Sequence, residues 1–325
     1  MRTIRVVALI ATIAALSAFH QQPAFEVPKW AFPSRASEVP SSVRPGDTTL
    51  RTLAHSSRSF TSRQLGDRLN PPDWHPESHP AAPDVVIHAR PEMKYACGLC
   101  HLPDGQGRSE NATIAGLPDA YIREQMADMR SGERGPAMDF AASALMKAVA
   151  IAATDSEIAE SARYFSRIHP RKQYTVKERV NAPLTYQAGG LYALRAGNDS
   201  EPVGNRIVEV SDNIEHHEMR DPRETFTVYV RPGTLARGRK LAITARQESP
   251  TRCATCHGAD LRGGTGATAG PPIAGKSPLY LLRQLAGFRT KSRNGGASAP
   301  MQVVTSLLSL DDMMSAAAYA GSRAP

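Results

Sequence analysis

The sequence predicts a mainly α protein: two tandem helical modules, a small β-containing connector between them and an extended N-terminal arm. Three observations carry this expectation. Cys-x-x-Cys-His occurs twice, as CGLCH at 97–101 and CATCH at 253–257. Downstream of the first, IAGLPDAYIREQMADMRSGERG (from 114) lines up without gaps with IAGKSPLYLLRQLAGFRTKSRNG (from 273), so one module occurs twice. Within both copies the apolar residues recur at helical spacing.

The elements follow in chain order. Residues 1–18 read as an export signal: Arg2 and Arg5 form a positive start, Val6 to Ala15 an apolar stretch, and Ser17 and Ala18 a small-residue end. The apolar run is short for a membrane span, which takes roughly 20 residues. Residues 19–84 are rich in Pro, Ser and Arg and read as the arm, with Trp74 marking a part that docks on the folded body. The first module is placed at 85–170, where YIREQMADMR and DSEIAESARYFSRI are amphipathic helices. The second of these starts at a cap, Thr154 or Asp155, and is stopped by Pro170. Residues 171–232 form the connector, where RIVEV and FTVYV have strand composition. The second module is placed at 233–325, with GTLARGRKLAITAR, YLLRQLAGFR and DDMMSAAAYAGS as its helices.

Composition narrows the function. Aromatic residues make up 6% of the 325, against 25 Pro and 24 Gly, so core volume must come from elsewhere, and a bound cofactor could supply it. The formal charge of +8 favours an acidic protein partner, an anionic substrate or a negatively charged membrane surface. Nucleic acid is not favoured: no binding motif is present, and the basic residues are scattered rather than clustered with aromatics.

All four cysteines sit in the two Cys-x-x-Cys pairs. Covalent haem attachment needs two thiols near adjacent vinyl groups and a histidine that reaches the iron from the same side. Cys-x-x-Cys-His on one helical turn provides both. Cys97, Cys100, Cys253 and Cys256 are therefore the expected attachment residues, for two covalent haems c, with His101 and His257 as proximal ligands. A four-thiolate zinc site is the first rival. It leaves both histidines unexplained, and its pairs ordinarily lie roughly 15–20 residues apart. A redox disulfide of the thioredoxin type is the second, and needs a strand–helix context that neither motif shows.

The repeat selects the opposite ligands. Met301 precedes Tyr319 by the same 18 residues that separate Met146 from Tyr164. Each methionine also lies at nearly the same distance beyond its proximal histidine. Met146 and Met301 are the expected thioether ligands, with Met138 the alternative in the first half. Met126, Met129, Met313 and Met314 read as core.

With these residues in place the chain resembles an exported bacterial dihaem cytochrome c with two class I domains. The resemblance spans roughly 85–322 and rests on CGLCH, CATCH, the spaced methionines, EPVGNRIVEV and GPPIAGKSPLYLLRQL. It implies that a loop carbonyl accepts the free N–H of each proximal histidine, at a position marked by proline. Pro271 fits, ahead of Gly275; the first half has Ala112 ahead of Gly116, which predicts a less rigid loop and unequal potentials.

Other repeated residues have paired readings. Tyr121 and Tyr280 pack helices or meet a haem edge. Arg130, Arg134, Arg289 and Arg293 are surface cations or neutralise propionates. His216 and His217 are adjacent and diverge on any regular element, which disfavours a metal. His75, His79 and His88 read as ordinary polar residues of the arm.

The resemblance implies a periplasmic carrier of single electrons in a respiratory chain, between a membrane or exported dehydrogenase and a terminal oxidase or reductase. Its form is a monomer or the haem-bearing subunit of a larger complex, with association at a membrane surface as a further possibility. The alternative is an enzyme, a dihaem peroxidase or a dehydrogenase of a small substrate, with one open iron.

Overall fold

The computed structural model describes residues 25–34, 39, 41–44, 46–244, 252–267 and 269–325. The predicted export signal lies outside them.

The first helical unit is held by one core. Val86, Met93, Ile122, Val149, Ala162 and Phe165 meet in it, from segments spread over 85–168. The helices Asp119–Ser131, Ala141–Ala152 and Asp155–Ser166 supply its walls. Thr154 starts the last of these with a capping box: its hydroxyl accepts from the Glu157 N–H while the Glu157 carboxylate accepts from the Thr154 N–H. That helix ends at Ser166, one turn before Pro170.

The expectation of a mainly α chain with a small connector is overturned by a five-stranded sheet. Its order is Tyr174–Glu178, Phe226–Val230, Val208–Ser211, Leu191–Leu194, Thr185–Ala188, with mixed parallel and antiparallel pairing. Two two-stranded sheets, Asn181–Pro183 with Ser200–Pro202 and Leu50–Thr52 with Ser59–Thr61, add to it. The physical reason is burial on both faces. Phe226, Val228 and Val230 enter the core of the second helical unit, while Val208 and Val210 pack with Ala182 and Val203 on the other side. Strands of three to five residues leave too little alternation to be seen as one sheet.

The arm also departs from an extended segment. Trp74 is buried against Leu65, Leu53 and Met219, and its indole N–H donates to the Met219 carbonyl at 2.7 Å. Further upstream, Ala31 and Phe32 sit in the core of the second unit.

In that second unit Thr234–Ile243 crosses Leu310–Ser322 at close range. A Cβ on Gly238 would lie 2.0 Å from the Ser315 carbonyl oxygen, so only glycine permits the crossing. Ser309 opens the closing helix with a capping box to Asp312, as Thr154 does in the first unit.

Candidate haem-attachment sites

Each Cys-x-x-Cys-His motif forms its own five-residue helix, Cys97–His101 and Cys253–His257. Both helices stop at a residue with positive φ: Leu102 at 64° and Gly258 at 84°. The turn that follows is shared as well. The Gly107 N–H donates to the His101 carbonyl at 2.9 Å, and the Gly263 N–H to the His257 carbonyl at 2.8 Å. The four cysteines are half-buried free thiols. Burial, with Cys100 nearby, pushes the Cys97 thiol up to about 12, and burial pushes Cys253 up to about 11. Thiols so held are poor thiolates, unlike those of a disulfide exchanger.

Both imidazoles are oriented in the same way. His101 Nδ1 lies 2.8 Å from the Ala112 carbonyl oxygen, and His257 Nδ1 lies 2.7 Å from that of Pro271. A carbonyl only accepts, so Nδ1 carries the proton and Nε2 keeps its lone pair. Burial lowers the pKa of both rings against the opposing pull of the carbonyl, which favours the neutral imidazole that binds a metal. In the second site Gly270 lets the loop pass the ring: a Cβ there would sit 2.7 Å from His257 Cε1 and Nδ1.

Met146 lies on the Ala141–Ala152 helix and packs, half-buried, on the same core as Cys97 and Tyr121. Met138 packs on the other core, with the second helical unit. Met301 is half-buried on Ala299–Ser306. The repeated arginines fasten both methionine-bearing helices. Arg130 donates to the carbonyls of Ala150 and Ala153 at 2.9 and 2.8 Å. Arg289 donates to the carbonyls of Thr305, at 3.1 Å, and Ser306. Each cation thereby covers the orphan acceptors and the negative end of its helix.

The remaining repeated residues meet each other between the two units. Arg134 donates to Gln125 at 2.8 Å, Gln284 at 3.2 Å and the Tyr280 hydroxyl at 3.3 Å. Arg293 donates to Gln125 at 2.6 Å and Gln284 at 3.2 Å. These acceptors are neutral, and among the described residues the buried Nε of Arg293 has no partner and neither guanidinium bonds a carboxylate. Such a pair, with one orphaned donor, suits an anionic group such as a haem propionate. The free thiols, the neutral and oriented imidazoles and this cationic seam together fit a c-type haem at each motif.

Other titratable residues have internal partners. His217 is buried between Glu224, 2.9 Å from Nδ1, and Glu110, 3.4 Å from Nε2. His216 pairs with Asp221 at 2.8 Å. His79 lies 2.8 Å from the Tyr164 hydroxyl. Among the described residues no three His, Cys, Asp or Glu side chains converge on a metal site.

Sequence reasoning missed Glu209, the centre of the sheet's polar core. Its carboxylate accepts from the hydroxyls of Ser109 and Ser277, each at 2.7 Å, and from the Leu279 N–H at 3.1 Å. It ties the loop after the first motif to the start of the Pro278–Arg289 helix. A single Glu inside RIVEV reads as the solvent side of a strand, and nothing local marks it as buried.

Residues 235–319, which hold CATCH and its downstream helices, match the cytochrome c family model. Over 227 residues, 69% of this chain, the sequence is 25% identical to cytochrome c4 of Azotobacter vinelandii and covers 82% of that relative. These similarities imply covalently bound haem c. Among solved structures, cytochrome c4 from Pseudomonas stutzeri is 18% identical with a TM-score of 0.44, covering 70% of this chain and 93% of that one. Thiosulfate dehydrogenase (TsdBA) from Marichromatium purpuratum is 26% identical with a TM-score of 0.46, covering 70% of this chain. This chain spans 36% of the length of that enzyme. No helix among the described residues is long and apolar enough to cross a membrane.

Proposed function

We propose that the protein is a periplasmic dihaem cytochrome c that carries single electrons between redox partners. Cys97 and Cys100 hold the first haem and Cys253 and Cys256 the second. His101 and Met146 would hold one iron, and His257 and Met301 the other. The observation that carries this reading is the repeated proximal geometry: both imidazoles donate from Nδ1 to a loop carbonyl and present Nε2.

Each bound haem supplies one reversible electron. The chain's residues would hold the iron from both sides, and the hydrogen bond from Nδ1 fixes the proximal ring. Side chains held on both sides of each iron would keep substrates off the metal, which suits transfer rather than turnover. The cationic seam of Arg134 and Arg293 receives propionates between the two units, and the overall charge of +8 steers the protein towards acidic partner surfaces. An exported or membrane dehydrogenase and a terminal oxidase or reductase are partners of that kind.

Potentiometric titration of the purified exported protein tests the reading. Two one-electron waves that do not change under carbon monoxide support a carrier. A wave displaced by carbon monoxide would point to an open iron and an enzyme.

A further inference from the structure

Lys276 is 5% exposed, the one lysine in the core among the described residues. Its ammonium donates to the Thr113 carbonyl oxygen at 3.0 Å. No carboxylate lies within ion-pair distance of it among the described residues, and burial pushes it down to about 8. A buried cation with so little compensation is expensive to keep, so its location is informative.

That location is the proximal loop of the first site. Thr113 follows Ala112, whose carbonyl holds His101. The matching pair in the second half is Pro271–Pro272, where two fixed φ angles stiffen the loop. The position matching Lys276 in the first repeat is Leu117, which is buried and brings no charge. The arrangement is therefore one-sided: the second unit reaches across to the first, and nothing reaches back at the equivalent place.

We infer that Lys276 is a positioning residue for the first haem, fastening the Ala112–Thr113 loop that lacks prolines and placing a fixed positive charge behind His101. The inference rests on the reading of Cys97–His101 as a haem site. A cation there favours the reduced iron, which carries one positive charge fewer, and so raises the potential of the first haem. Loosening the loop alone acts in the other direction, by weakening the hydrogen bond that makes His101 a stronger donor. The charge has the larger effect, because the loop is also held by the Ile114 and Ala115 N–H groups, both 2.9 Å from the Gly105 carbonyl.

The test compares the full-length holoprotein with Lys276→Leu, Lys276→Gln and Lys276→Arg. Leu is the residue of the first repeat; Gln keeps a donor for Thr113 without charge; Arg keeps the charge. Covalent haem is counted first, and both potentials are then titrated, with the first haem assigned by the axial-methionine signal lost in Met146→Ala. The expected result is a lower potential for the first haem in the Leu and Gln variants, an unchanged second haem, and near-native values in the Arg variant. Two retained haems with both potentials unmoved, or both moved equally, overturn the inference. If the Leu variant loses the first haem, the Gln variant decides. A wild-type protein with no covalent haem at the first motif would sink the underlying reading, a failure distinct from unmoved potentials in a loaded protein.

Discussion

Arg134 and Arg293 occupy matching positions of the internal repeat, and they are bridge partners: their backbones pair antiparallel where the two helical units meet. The Gly135 N–H donates to the Ser292 carbonyl at 2.7 Å, and the Asn294 N–H to the Glu133 carbonyl at 2.6 Å. Their guanidiniums share Gln125 and Gln284, which are themselves repeat mates. The repeat thus builds a junction with near two-fold symmetry.

Because the two arginines share acceptors, their effects should not add. Arg134→Gln and Arg293→Gln each lower thermal stability, and the double variant loses less than the sum, with a coupling of about 0.5–3 kcal/mol. A double-mutant cycle by denaturant unfolding measures this. Strict additivity would mean that the shared hydrogen bonds carry little energy.

Met301→Ala should open the second iron to carbon monoxide, and Met146→Ala the first. Met138→Ala is the control and should leave the spectrum unchanged, since Met138 packs on the other core. A carbon monoxide response in the Met138 variant alone would transfer the ligand role to Met138.

Arg130 and Arg289 close the ends of the methionine-bearing helices. Arg130→Met should weaken the distal ligand of the first haem without touching the iron, read as a partial carbon monoxide response at that site. Arg289→Met should do the same at the second. Native ligand binding in both variants would make these arginines simple surface caps.

Burial works against the charged form of His217, but the carboxylates of Glu110 and Glu224 outweigh it and lift the ring to about 9. The unfolded value is about 6.5. A raised folded value means stability that is fully present below about pH 6.5 and lost as pH climbs through about 9. Melting temperature should therefore fall from pH 6.5 to 9.5 more steeply in the wild type than in His217→Gln. Parallel curves would remove His217 from the pH response.

The capping boxes at Thr154 and Ser309 are worth about 1 kcal/mol each. Thr154→Ala and Ser309→Ala should lower stability by that order, read as a shifted denaturant midpoint with an unchanged slope. A loss of several kcal/mol would show that the first turn does more than cap.

Contiguous chemistry was legible and scattered chemistry was not. CGLCH and CATCH each form one short helix, as a five-letter motif on one turn requires, and their proposed role rests on that. The paired helices around Tyr121 and Tyr280 showed through the repeat. The sheet stayed hidden, although TYQA and LYAL flank Gly189-Gly190, a two-residue hairpin signal. RIVEV and FTVYV were visible as strands, but their pairing across the chain is a long-range property. Lys276 and Glu209 were invisible for a related reason. A lone charge in an apolar phrase reads as the wet side of an element, and only the packed neighbours reveal it as buried.

Two covalent haems in one chain are the property on which the proposed electron transfer depends. The most direct measurement is the intact mass of the exported protein after denaturation, with the reduced absorption spectrum taken on the same sample. The mass should be increased by two haems that acid and organic solvent do not extract, with both lost only when both cysteine pairs are replaced by serine. A protein without attached haem, or one whose haem survives Cys97→Ser, Cys100→Ser, Cys253→Ser and Cys256→Ser together, would contradict it.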